Sequence, residues 1–233
     1  IIGVVRNPWD WYVSWYAFNN MRGVRNPLFN IVSRGKQLAF KETITRLIHY
    51  PDSSEVSQLS RQIHQSLLLD EFSDDRGSGF TKQCVDQMKS DSDGYYTILL
   101  ERMFGVDRPQ LILVRFENLF DEFCAALEHL GVEESEAVKA HLREQPSVNA
   151  SRHSHYSHYY DHELSELVRI KEQRPLGLFC YEFEPAPAHE PRINIDALHR
   201  VPKLAGKAPN FLEIGETVEL SLIHISEPTR LGM

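Results

Sequence analysis

Positive charge is in short supply in this chain. Lys and Arg total 25 against 33 Asp and Glu, a formal charge of −8. That balance excludes the broad cationic face a general nucleic-acid binder needs, and no nucleic-acid partner is expected. It leaves room for one local phosphate pocket. Cysteine is scarcer still: Cys84, Cys124 and Cys180 show neither metal-ligand spacing nor an even disulfide framework. A reducing, cytoplasmic setting is the expectation that follows. No apolar run is long enough to cross a bilayer, so no transmembrane segment is expected. Also missing is any Gly-x-x-x-x-Gly-Lys-Ser/Thr segment, the loop that cradles nucleotide phosphates in many α/β enzymes.

What is present suffices for one sizeable core, since the 233 residues are 42% hydrophobic. Ile1–Val5 is a short, β-branched, uninterrupted run, the pattern of a strand covered on both faces in a parallel sheet. Asn7-Pro8-Trp9-Asp10 follows as a helix start: Asn7 caps, Pro8 suits the first turn, and Asp10 stands where a capping-box carboxylate reaches back. The helix is expected to run to Asn20, with Trp11, Trp15 and Phe18 packing on the sheet. Arg22–Gly35 reads as a loop, and helical patterns cover Leu38–Ile48, Val56–Leu69 and Tyr95–Phe104. A second buried strand is predicted at Leu111–Phe116. Asn118 is placed to cap the next helix, which carries an apolar stripe of Leu119, Phe123, Leu127 and Leu130 and stops at Gly131. A short acidic helix over Glu133–Arg143 and a helix over His162–Glu172, capped by Asp161, complete the compact part at Phe183.

Strand, helix, several helices, then strand and helix is the grammar of an α/β parallel sheet. Only two core strands are visible and the first begins at Ile1, so further sheet is expected upstream. Glu184–Arg200 is rich in proline and reads as a linker or extended extension. Leu220–Arg230 ("LSLIHISEPTR") resembles the translation of a sequencing adapter, the other reading being a short native strand and turn. Residues 220–233 are therefore set aside from fold reasoning.

In open α/β sheets, ligands bind beyond the carboxyl ends of the strands, where helix N-termini point their amides. Arg6 stands at that position, and Ser14 lies two turns along the next helix. A forked permanent cation and a short hydroxyl suit a phosphate monoester; an arginine paired with a carboxylate beside a serine on a helix face is the plain alternative. His153, His155, His158 and His162 crowd one region, yet no cysteine or paired acid completes a ligand set, and no metal is expected. Arg115 and Glu117 are read as structural, a salt bridge or a helix-start contact.

Three segments carry a family resemblance. "VVRNPWDWYVSWY" resembles the 3'-phosphate-binding segment of sulfotransferases that use 3'-phosphoadenosine-5'-phosphosulfate (PAPS), with Arg6, Pro8, Asp10, Ser14 and Tyr16 matching in type and spacing. "LVRFENLFDEF" is similar to the family's later strand-to-helix junction through Arg115, Glu117 and Leu119. There Phe116 and Asn118 stand where tyrosine and aspartate are usual. "HYSHYYDHELSELVRIKEQRPLGLFCYEF" resembles the closing helix of bacterial-type members, with Cys180 where glycine is common. The implied fold class is α/β, a P-loop-NTPase-like parallel sheet flanked by helices, with the first strand and the phosphosulfate-binding loop missing. Residues 1–183 would be a partial sulfotransferase domain and 184–219 the extension.

The resemblance implies an enzyme that, when complete, transfers a sulfuryl group from PAPS to a hydroxyl or amine. The acceptor would be a small molecule, a carbohydrate or a lipid, and the fragment alone is expected to be inactive. The cofactor-binding candidates are Arg6 and Ser14 for the 3'-phosphate and Phe116 near the adenine. Ser151 and Arg152, with Asn149, lie on a loop that closes over the phosphate. No catalytic residue is assigned, because the family's lysine loop and its acid/base residue precede this segment. The stretch Met21–Gly94 is the expected acceptor lid, with Trp15, Asn20 and Phe29 as candidates. Two rival readings remain: another nucleotide-dependent P-loop enzyme such as a kinase, and a non-catalytic helical interaction domain in which Arg6 and Ser14 support packing.

Overall fold

A computed structural model describes residues 1–21, 26–48, 93–105, 111–132, 139–140, 143–144 and 152–200. The expected helices at Val56–Leu69 and Glu133–Arg143, Cys84, and the terminal segment 220–233 lie outside or almost wholly outside those residues. The described chain is mixed α/β, mostly helical, with one small parallel sheet. Strand β1 (Ile2–Val5) pairs with β2 (Ile112–Arg115) in parallel register, Ile2 opposite Ile112 and Val5 opposite Arg115. Between them in sequence come α1 (Pro8–Asn20), α2 (Pro27–Val32), α3 (Phe40–Ile48) and α4 (Tyr95–Phe104). A 3-10 turn at Phe116–Asn118 leads into α5 (Leu119–His129), and α6 (His162–Lys171) and α7 (Gln173–Phe179) follow. Among the described residues no helix is long and apolar enough to cross a membrane.

The two-residue period of β1 sends its side chains to two different cores. Ile2 joins Val114 and Ala126 in a small cluster, against which Val4, Leu119, Phe123 and Leu127 pack. The stripe expected on α5 is thus the cover of one sheet face, except for Leu130, which is exposed. Val5 belongs to the main core on the other face. Gly3 lets α4 approach: a Cβ there would meet Leu113 and the Phe104 ring at 2.8 Å.

Helix α1 is not the amphipathic helix the spacing predicts. Trp9, Trp11, Tyr12, Trp15 and Tyr16 are all buried, around the whole circumference. Trp11 and Trp15 stack on each other; Tyr95 of α4 meets Trp11 at a tilt and Trp15 edge-on, and Trp15 also meets Phe29 of α2 edge-on. The tryptophans therefore pack on helices rather than on the sheet, and Phe18 is half-buried. Each large side chain so removed from water contributes roughly 1.5–3 kcal/mol, which makes α1 the axis of the molecule. Asn7 does cap it, accepting from the Trp9 amide at 3.0 Å. Asp10 does not complete a capping box, because the Asn7 amide donates to Glu117 at 2.7 Å instead.

One further expectation is corrected, and of the two readings of the proline-rich stretch the extension is the one that fits. Within the predicted loop Arg22–Gly35, Asn26 accepts from the Phe29 amide and starts α2, with proline in its first turn. The proline-rich stretch after Glu184 is extended, but it does not lead away as a linker. Asn20 donates to the Ile195 carbonyl, Asp196 accepts from Tyr16 and from the Phe40 amide, and Ile195 and Leu198 join the main core. A short 3-10 turn at Ile195–Arg200 ends this strap.

Helices α4 and α6 are locked together by Glu172. This wholly buried carboxyl accepts from the Tyr96 and Thr97 amides, the first turn of a helix whose cap position, Gly94, offers no side chain. Gly94 is required here, because a Cβ would collide with the Glu172 carboxylate. Gly94→Ala is expected to lower stability by about 1–3 kcal/mol, measured by urea denaturation. At the C-terminus of α7, Cys180 adopts a left-handed conformation, φ 53°. Cys180→Gly is expected to raise stability by up to about 1 kcal/mol; an unchanged or lowered denaturation midpoint would contradict the strain.

Candidate functional site

The carboxyl end of β1 delivers Arg6 to the start of α1. Its backbone is gripped first. The Tyr96 hydroxyl accepts from the Arg6 amide at 2.8 Å and donates to the Arg6 carbonyl at 3.0 Å. Burial, chiefly, holds that phenol above its ordinary pKa, so it stays a neutral donor. The side chain then lies along α1, because positions four and eight residues on fall on one helical face. Nε donates to Asp10 Oδ2 at 2.6 Å and Nη1 to Ser14 Oγ at 3.0 Å. The guanidinium carbon stands 4.5 Å from the centre of the Phe116 ring, on the turn that follows β2. Among the described residues no hydrogen bond engages Nη2.

Three of the sequence-predicted residues, Arg6, Ser14 and Phe116, are thus brought together by three different elements. Their accessibilities differ. Ser14 is 2% exposed, so in this state its hydroxyl supports the guanidinium from within. Arg152 is exposed and, among the described residues, makes no hydrogen bond to the other three. Ser151 and Asn149 lie outside the described residues. Trp15, Asn20 and Phe29, the acceptor candidates, are buried core residues; Asn20 is spent on the Ile195 carbonyl.

Beside the arginine opens a cleft of about 480 Å³, whose lining includes Asn7, Asp10, Glu117, His155, Tyr156 and Tyr181. The volume lies within the range of small-molecule sites. Glu117 accepts from the Asn7 amide at 2.7 Å and from the Tyr181 hydroxyl at 2.8 Å. Burial and then the Glu117 charge push the Tyr181 phenol well up. Arg115, also on the wall, is tied to Glu122 through its amide at 2.5 Å and its Nε at 2.6 Å. Arg115 and Glu117 therefore serve structure. The cleft presents more carboxylate than cation: Arg115 is the arginine that lines it, and Arg6 stands behind the wall as the partner of Asp10.

The histidines disperse into local contacts. His155 Nδ1 meets the Ser157 hydroxyl at 3.0 Å, His153 Nδ1 the Ser154 carbonyl at 2.8 Å, and His158 Nε2 lies 3.3 Å from Glu190. Among the described residues no group of three or more ligating side chains is placed to hold a metal. Residues that sequence reading missed are Tyr96 and Glu172. Their hydrogen bonds to each other, to Arg6 and to Tyr12 span 76, 90 and 160 residues, so no local pattern announces them.

Comparison with family models, with curated proteins and with solved structures gives no match to this chain. Asp10→Asn is expected to destabilise the chain by about 1–3 kcal/mol, through loss of a charge-assisted bond and of an acid in the first turn of α1. Thermal denaturation checks this, and an unchanged midpoint would show that Asp10 does not hold Arg6.

Proposed function

We propose that this chain is the 3'-phosphate-binding part of a PAPS-dependent sulfotransferase. In this reading the β1–β2 pair belongs to a P-loop-NTPase-like sheet whose phosphosulfate loop is not among these residues. One observation carries the reading: a guanidinium and a hydroxyl, 3.0 Å apart, at the carboxyl end of a parallel strand. That is the chemistry a terminal phosphate monoester requires. Asp10 orients the fork through Nε and Ser14 accepts from Nη1, which leaves Nη2 to the ligand. Phe116 supports the guanidinium from beneath and lies close enough to flank an adenine.

In the transfer, the bond between the sulfuryl sulfur and the bridging phosphate oxygen breaks and a bond from sulfur to the acceptor oxygen or nitrogen forms. The acceptor proton passes to a base, and adenosine 3',5'-bisphosphate departs. Arg6 and Ser14 would contribute by holding the donor's far end, so that the reacting atoms meet in line. Carbohydrate, lipid or other small-molecule hydroxyls and amines are the acceptor class. A reducing compartment suits Cys124 and Cys180, which are free thiols.

A second reading has an observation of its own. Asp10 already neutralises Arg6, and Ser14 is buried, the pattern of an arginine that only supports packing. Calorimetry separates the two. The chain is expected to bind adenosine 3',5'-bisphosphate more tightly than AMP, and Arg6→Ala to weaken the bisphosphate by about 10- to 100-fold while changing AMP little. Equal losses for both ligands, or no discrimination by the 3'-phosphate, would favour the packing role.

A further inference from the structure

The buried carboxyl of Glu172 has more partners than a helix cap requires. Besides the Tyr96 and Thr97 amides, at 3.1 and 2.8 Å, it accepts from the Thr97 hydroxyl at 2.5 Å and the Tyr12 hydroxyl at 2.5 Å. Tyr12 belongs to α1, the helix that carries Asp10 and Ser14. Tyr96 is the residue whose hydroxyl brackets the Arg6 backbone. A hydrogen-bonded route therefore runs from this carboxyl through the first turn of α4 and Tyr96 to the arginine, while the bond to Tyr12 fastens the same carboxyl to α1. We infer that Glu172 is a positioning residue for Arg6, and that its own proton sets how tightly Tyr96 holds the arginine. That Arg6 binds an anion rests on the function proposed above; that Glu172 positions it rests on the hydrogen bonds alone.

The two protonation states differ in what the neighbours must do. An ionised carboxylate accepts from all four donors as they stand. A neutral carboxyl carries a hydrogen of its own, which needs an acceptor. The amides have none to offer, so the Tyr12 or Thr97 hydroxyl must turn round. The two α4 amides then face a neutral and weaker acceptor, and the turn bearing Tyr96 loosens its hold on Arg6. Burial raises the carboxyl and the four donors pull it back, which leaves it near pH 7.

The tyrosines facing Glu172 do not titrate in that range. Tyr12 on α1, Tyr96 on α4 and Tyr160 before α6 are all raised above their ordinary values, chiefly by burial. Lys171 is its neighbour on α6. Arg174 on α7 stays charged between Asp93 at 2.8 Å and Glu101 at 2.5 Å. His155, on the wall of the cleft beside Asp10, supplies the control for a signal that arises in the cleft rather than at Glu172.

The test follows the Arg6 Nε–H resonance of the nitrogen-15-labelled chain between pH 5 and 8.5, with inorganic sulfate, dianionic throughout, as the binding probe. The wild-type resonance is expected to shift with a midpoint near 7. Glu172→Gln should abolish the shift, and so should Tyr96→Phe, which keeps both amides on Glu172 but removes the bracket. His155→Ala should leave it intact. Sulfate should bind several-fold more tightly at pH 8 than at pH 6 in the wild type and in His155→Ala, and not in the other two variants. A second readout is stability. An unfolded glutamate titrates near 4.3, so the folded chain holds the extra proton from there to about pH 7. Stability therefore falls as pH rises through that window and levels off above it, and this component should vanish in Glu172→Gln. A resonance that does not titrate, or a shift that survives Tyr96→Phe or disappears in His155→Ala, would overturn the inference, and the Tyr96→Phe arm decides it even if Glu172→Gln fails to fold. Absence of sulfate binding at every pH, with the resonance still titrating, would instead count against the anion site.

Discussion

The Arg6 guanidinium at the tip of β1 is the constraint around which the rest of this structure is arranged. A permanent cation next to an aromatic core is costly unless its hydrogens are satisfied. The chain surrounds it in layers and satisfies Nε and Nη1. Tyr96 closes over the main chain, Asp10 and Ser14 take two edges of the fork, and Phe116 underlies its face. The partners come from three separate segments, so the arginine is fully held only when β1, β2, α1 and α4 have all docked. A site built this way is pre-organised, and pre-organisation is what electrostatic recognition of an anion demands.

That architecture explains why α1 is buried all round. It must present Asp10 and Ser14 to the strand tip on one side. On the others it accepts the aromatic rings of α2, α3 and α4 and the strap that carries Asp196. The same burial makes polar groups expensive, and the helix answers with specific bonds: Tyr16 to Asp196, Asn20 to the Ile195 carbonyl, Tyr12 to Glu172. The end of the strap is thus part of the core rather than an appendage, and its proline-bearing part runs beside Ser154, His155 and Tyr156.

What the sequence made legible was local chemistry. Asn7 and Asp161 cap as their positions predict, Gly131 ends α5 with φ +73°, and the two apolar runs pair as parallel strands. The relation of Arg6 to Ser14 could also be read, because eight residues along a helix is a fixed geometry. Asn26-Pro27 repeats the start signal of Asn7-Pro8 and opens α2, so the signal was present although the surrounding glycine and proline favoured a loop. Long-range choices were not legible. Asp10 had two candidate donors, and the winner depended on Glu117, which claims the Asn7 amide from 110 residues away. Glu172 gives no hint in sequence that it caps a helix 75 residues earlier. Nor does proline content say whether an extended segment docks.

The central claim is that the fork of Arg6 exists to hold a phosphate. A crystal structure of the chain with adenosine 3',5'-bisphosphate tests it most directly. The account predicts the 3'-phosphate within hydrogen-bonding distance of the Arg6 Nη atoms, with the adenine near Phe116 and the Asp10 contact retained. A nucleotide bound elsewhere, with Arg6 still closed on Asp10 and Ser14 and no phosphate against it, would contradict it.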